Sequence, residues 1–143
     1  MSAILELLSA SMDFCSLGAA EKALVEEAEK RLGLSFANEF KEYVMAYGAV
    51  AFEDHELTGI CESERLSVIS TTERARSFYP CFPPKMYVVE EMYYDHVLTT
   101  QDETGTIYSY GPKDEAKRIA SSLQEYLFPD SINTALRIIE PEP

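Results

Sequence analysis

Apolar residues recur at helical spacing through the first third of the chain. Ile4, Leu5, Leu8 and Met12 predict a short N-terminal helix that breaks around Ser16 to Gly18. Ala20, Leu24, Ala28 and Leu32 then mark one face of a second helix. Its other faces carry Glu21, Lys22, Glu26, Glu29 and Lys30, and Gly33 is placed for a left-handed C-terminal cap. Ser35 is placed to cap a third helix, with Phe36, Phe40, Val44 and Tyr47 along one side and Gly48 at its end. From Val50 the period shortens. Ala51–Phe52, Glu56–Ile60 and Leu66–Ile69 read as strands between acidic links. Ser70-Thr71-Thr72-Glu73 has the spacing of a capping box and opens a short helix that Pro80 closes. Met86–Tyr93, His96–Thr100 and Thr106–Tyr110 predict an antiparallel meander, the last two strands joined by Gln101-Asp102-Glu103-Thr104-Gly105. Ala116, Ile119, Ala120, Leu123 and Leu127 predict an amphipathic helix ending before Pro129, and Ile132–Ile139 a last short one.

Helices, strands, a helix, strands and a helix again make an α+β fold. The chain has 143 residues, with no internal repeat, low-complexity tract or long linker, so one domain is expected. At that length a core forms without a disulfide or a metal. Cys15, Cys61 and Cys81 agree, being odd in number and in no C-x-x-C pair. The N-terminal stripe has no Lys or Arg before Lys22, unlike a signal peptide, and no apolar run approaches the length of a membrane span. A cytoplasmic protein is expected.

Charge changes this picture most. Asp and Glu number 25 against 12 Lys and Arg, a formal net charge of -13. Nucleic-acid phosphates and anionic lipid would repel such a chain, so neither is an expected partner. The acids are unevenly placed. Glu53, Asp54 and Glu56 fall in a stretch between Lys41 and Arg65 that has no basic residue. Glu90, Glu91, Asp95, Asp102 and Glu103 fall in a second such stretch between Lys85 and Lys113, interleaved with Tyr93 and Tyr94. Lys and Arg concentrate instead on the predicted helices, including Lys117 and Arg118. Two readings stand: acidic loops that keep the protein in solution, or an interface in which tyrosines give contact area and carboxylates steer a cationic partner.

Catalytic patterns are missing. The six glycines are isolated, which excludes a phosphate-cradling loop, and there is no G-x-S-x-G, H-E-x-x-H or deaminase motif. Histidine chemistry would need His55 or His96, each beside acids but without the converging ligands of a metal site. Glu90 and Glu91 are strand neighbours and so point to opposite faces, which argues against a shared carboxylate site. No enzyme activity, cofactor or metal is expected.

Ala28-Glu29-Lys30-Arg31-Leu32-Gly33-Leu34, Phe36-Ala37-Asn38-Glu39-Phe40-Lys41-Glu42-Tyr43 and Tyr47-Gly48 together resemble the opening of the SUKH superfamily, which groups bacterial immunity proteins with fungal cell-wall assembly regulators. Glu56-Leu57-Thr58-Gly59-Ile60, Tyr94-Asp95 with Gly105-Thr106-Ile107-Tyr108, and Ser122 to Leu127 resemble its later strand, hairpin and closing helix. Ala37 stands where the family usually has a proline. The resemblance implies a single SUKH-like domain over 19–143, with 1–18 as an N-terminal helical extension. It also implies a central mixed or antiparallel sheet packed with amphipathic helices, with Asp95 and Tyr108 defining the fold or lining a pocket. It further implies a non-enzymatic protein that binds a cognate toxin, commonly a nuclease or deaminase. An adaptor of the cell-wall regulator type is the alternative. From the charge distribution, the toxin would meet the surface formed by Glu53, Asp54, Glu56, Glu90, Glu91, Tyr93, Tyr94, Asp95, Asp102 and Glu103.

Overall fold

Helical periodicity and glycine stops shape the N-terminal half of the computed structural model, which describes residues 3–91 and 97–130. Helix α1 (Ala3–Ser9) buries Ile4 and Leu8 against α3 and α5. Strand β1 (Cys15–Ser16) follows, then α2 (Lys22–Leu32), which buries Val25, Ala28 and Leu32. Leu24, expected on that face, is 47% exposed. The buried stripe runs i, i+3, i+7 from Val25, one position on from Leu24. Gly33 adopts the left-handed cap and donates its N–H to the Glu29 carbonyl.

Helix α3 spans Asn38–Tyr47 and buries Phe40, Tyr43 and Val44. Ser35 does not cap it: the N-cap is Ala37, with no side-chain cap, and Phe36 precedes the helix. Other groups serve this junction instead. The Phe36 N–H donates to Glu29 Oε2 at 2.8 Å and the Ala37 N–H to the buried Tyr87 hydroxyl at 3.0 Å. A proline at position 37 would have no N–H to give. After α3 the backbones at Gly48 and Gly59 nearly touch. A Cβ on Gly59 would lie 1.7 Å from the Gly48 carbonyl oxygen, so only glycine fits there.

Strands β2 (Val50–Phe52) and β3 (His55–Leu57) form a tight hairpin and, with β1, a three-stranded antiparallel sheet ordered β1-β2-β3. The strand expected at Leu66–Ile69 does not form. Ser67 makes only an isolated parallel bridge with Gly59 and then caps α4 (Val68–Phe78), its hydroxyl accepting from the Ser70 N–H. The helix therefore starts a turn earlier than a cap at Ser70 predicts. The difference lets α4 bury Thr71 and Thr72 without leaving a hydroxyl unpaired: Thr71 donates to the Ser67 carbonyl and Thr72 accepts the Val88 N–H.

Strands β4 (Met86–Glu91), β5 (Leu98–Asp102) and β6 (Ile107–Tyr110) form the expected meander. A fourth strand, β7 (Ala116–Ala120), extends it to the order β4-β5-β6-β7. This corrects the helix predicted from Ala116. Ser121 and Ser122 break the pattern, and only Leu123–Leu127 is helical, as α5. Lys117 and Arg118 thus lie on a sheet-edge strand and not on a helix. Although α5 has only five residues, Glu39 of α3 holds it by accepting the Leu123 and Gln124 N–H groups. The two sheets meet where Thr58, just past β3, donates its N–H to the Val89 carbonyl and its hydroxyl to the Val88 carbonyl. The fold is α+β on two antiparallel sheets. One core joins α1, α2, α3, β2, β4 and α5, and a smaller one joins α4 to the other face of the four-stranded sheet. The helix expected at Ile132–Ile139 lies outside the described residues. No helix among the described residues is long and apolar enough to cross a membrane.

Candidate partner-binding surface

Strand register separates the candidate acids into two groups. Asp102 pairs with Met86 at one end of β4, and Leu98 pairs with Glu91 at the other. Along β5 the two ends are about 14 Å apart at the ordinary strand rise. Glu90 and Glu91 therefore sit at the β3 end with Glu53, Asp54 and Glu56, whereas Asp102 and Glu103 sit at the far end. Tyr93, Tyr94 and Asp95 lie outside the described residues, as does His96.

A β-bulge decides which way Glu90 faces. Val88 pairs with Thr100 but Glu90 pairs with Thr99, so Val89 is an extra residue on β4. Without it Glu90 would share the Val88 face, under α4; with it Glu90 turns to the main core and Glu91 to the α4 side. Glu90 is only 4% exposed. Its carboxylate accepts from the Tyr126 hydroxyl of α5 at 2.6 Å and from the Glu56 N–H at 3.1 Å, and His55 Nδ1 lies within 3.1 Å of both its oxygens. Thr99 reaches the same tyrosine hydroxyl at 3.2 Å. The ring of Phe52 lies against His55 and stacks on Phe128, roofing the group with aromatic surface.

Electrostatics at this node follow from the contacts. The His55 pKa is raised, chiefly by its hydrogen bond to Glu90; burial opposes this, and the charges of Glu90, Glu53 and Asp54 add to it. Burial is the main cause that lifts the Tyr126 hydroxyl above its ordinary value, and the Glu90 charge adds to it.

The remaining acids divide between exposed and committed groups. Phe52 pairs with His55, so Glu53 and Asp54 form the two-residue turn of the β2–β3 hairpin. Both are exposed, and Glu53 takes the left-handed conformation, φ 48°. Glu56 pairs with Arg65 at 2.8 Å and Glu91 with Arg74 at 3.0 Å. At the far end Asp102 ties the β5–β6 turn, accepting from the Thr104 and Thr106 N–H groups and from the Thr104 and Tyr108 hydroxyls. Burial alone would raise the Asp102 carboxyl, but these bonds outweigh it and hold its pKa below the ordinary value. Glu103 lies 3.9 Å from Lys85. The structure thus brings Glu53, Asp54, Glu56 and Glu90 together, places Glu91 at the same end of β4 but on its α4 face, and leaves Asp102 and Glu103 at the far end. Tyr126, which completes the node, carried no site signal in the sequence, because its contact with Glu90 is 36 residues away along the chain. Among the described residues no three His, Cys, Asp or Glu side chains are grouped to hold a metal.

The family model for SMI1-KNR4 cell-wall proteins, SUKH_5, matches residues 1–129. The chain belongs to the SUKH superfamily. The matched stretch starts at the first residue and so takes in α1 and β1 of this SUKH domain. No curated protein matches the chain. Membership in this family makes the SUKH domain a protein-interaction module.

Proposed function

We propose that this SUKH domain is a non-enzymatic cytoplasmic immunity protein that binds a cognate basic toxin and covers the surface the toxin needs for its activity. The observation that carries this reading is the β2–β3 turn. Glu53 and Asp54 are exposed carboxylates that enter no ion pair among the described residues. The strand beneath them is fixed to Glu90 through His55 and the Glu56 N–H. A rigid turn with two unneutralised charges steers a cationic partner at little entropic cost. Toxin domains that act on nucleic acid, such as nucleases and deaminases, need cationic surface to hold phosphates, and that surface is what an acidic inhibitor complements.

The test is kinetic. Glu53→Gln with Asp54→Asn should slow association with a toxin that the protein neutralises, by about tenfold at low salt, and flatten its salt dependence. An association rate equal to that of the wild type at every ionic strength sinks the assignment. The second reading is a regulatory adaptor of the cell-wall regulator type. That reading predicts endogenous partners and no protection against any toxin.

A further inference from the structure

Backbone bonds tie the segment between α1 and β1 to the β2–β3 turn. The Glu53 N–H donates to the Met12 carbonyl at 3.1 Å, and the Leu17 N–H donates to the Ala49 carbonyl at 3.0 Å. Between these points Cys15 pairs with Ala51 and Ser16 with Val50. Hydrogen-bonded and non-bonded pairs alternate along an antiparallel ladder. Cys15 and Leu17 therefore turn their peptide groups to β2, and Ser16 directs its N–H and C=O away from it. Because β1 is the first strand of its sheet, the outward side of Ser16 meets no strand among the described residues.

The two open sheet edges differ. Edges β3 and β4 close on each other, with the Thr58 N–H donating to the Val89 carbonyl and the Glu56 N–H to the Glu90 carboxylate, which leaves β1 and β7. Strand β7 carries Lys117, Arg118 and a bulge at Ile119, devices that keep another strand from pairing. No Lys, Arg or Pro precedes Lys22, so β1 has no such guard. Met12 and Leu17 flank it and are 73% and 53% exposed. Asp13 is exposed beside Met12 in left-handed backbone, φ 59°, and like Glu53 and Asp54 enters no ion pair among the described residues.

This chemistry selects one occupant. Outward peptide groups take an extended segment, exposed apolar side chains give it contact, and three unpaired carboxylates favour a basic one. We infer that an extended basic segment of the partner adds to the three-stranded sheet beside β1, bonds to the Ser16 peptide groups and sets its cations toward Asp13, Glu53 and Asp54. The inference rests on the reading of the Glu53–Asp54 turn as partner-facing and supplies the way the partner docks. Since β1 is short, the carboxylates carry much of the affinity, and salt weakens it.

Hydrogen exchange of the Ser16 amide, followed by NMR on the full chain, tests this with a synthetic peptide of alternating arginine and valine, blocked at both ends. The amide should exchange fast in the free chain and be slowed about tenfold or more by saturating peptide. The same peptide N-methylated along its backbone keeps the charge but loses the donors, and should not slow it. Asp13→Asn combined with Glu53→Gln and Asp54→Asn should weaken peptide binding about tenfold at low salt. An amide already slow in the free chain, one the peptide does not slow, or one slowed equally by the N-methylated peptide overturns the inference. So does unaltered peptide affinity in the triple variant. No toxin enters these measurements, so the edge can fail while toxin neutralisation stands, and the reverse.

Discussion

Replacing Glu90 by Gln keeps the shape of the side chain and removes its charge. The carboxylate accepts from His55 at 3.0 Å, from Tyr126 at 2.6 Å and from the Glu56 amide at 3.1 Å. A hydrogen bond to a charged group contributes about 1.5–3 kcal/mol and a neutral one about 0.5–1.5. Three such downgrades sum to roughly 3–4 kcal/mol. The native state no longer has to desolvate a buried carboxylate, which offsets part of this. The His55 share is also reduced, since its side chain is 30% exposed and screened by water. The net loss expected near neutral pH is about 2 kcal/mol. Its pH dependence follows from His55, whose folded pKa is raised by Glu90. Stability from such a group is fully present below the unfolded value of about 6.5 and disappears as pH rises through the folded value. The gap between wild type and Glu90→Gln should therefore be larger at about pH 6 than at about pH 9. Urea unfolding at each pH measures the gap. Proton NMR follows the titration of His55 itself, in a chain with only 2 histidines. A stability gap equal at both pH values, or a His55 midpoint that does not fall in the Gln variant, refutes this reasoning.

Tyr87→Phe should cost about 2–3 kcal/mol in urea unfolding, because the Ala37 N–H and Gln101 Oε1 both lose their partner in the core. Gly59→Ala should cost more than about 3 kcal/mol, or abolish folded protein, since its Cβ would overlap the Gly48 carbonyl; thermal unfolding reads this directly. Asp102, with its lowered pKa, contributes stability that is present above its unfolded value and lost as pH falls through the folded one. The gap between wild type and Asp102→Asn should therefore shrink below about pH 4, as followed by acid titration of the circular dichroism signal. Glu53→Gly should leave stability within about 1 kcal/mol of wild type, because relief of a left-handed side chain offsets the added chain entropy. The same change removes a steering charge and should slow partner association. The Glu53 position thus separates stability from binding.

Much of the fold was legible because local chemistry and burial agree. Gly33 and Gly48 stop α2 and α3 where the periodicity ends, and Gln101 to Gly105 turns β5 into β6. The errors have local causes. Ala116 to Ala120 is compatible with a helical stripe, but pairing with β6 at a sheet edge outweighs that propensity, and Ile119 becomes a bulged residue. Ser67 and Ser70 are both capping residues, and only the packing of Thr71 and Thr72 selects the first. The alternation rule correctly separated Glu90 from Glu91. It could not say which was buried, because that depends on the bulge at Val89 and on His55, 35 residues earlier in the chain. The acid-rich stretches were visible as composition, but their neutralisation was not. Arg65 and Arg74 approach Glu56 and Glu91 only in the fold, which leaves Glu53 and Asp54 as the exposed charge of this group.

We propose that this SUKH domain neutralises a basic toxin through the turn at Glu53 and Asp54, and binding to such a toxin decides it. The most direct measurement is calorimetric titration of the purified chain into a toxin domain that co-purifies with it from its host, with toxin activity assayed on the same samples. Stoichiometric binding that silences the toxin is expected, about tenfold weaker at low salt when Glu53 and Asp54 are neutralised. Binding and inhibition that survive that double substitution unchanged, or a toxin that remains fully active beside excess protein, would contradict it.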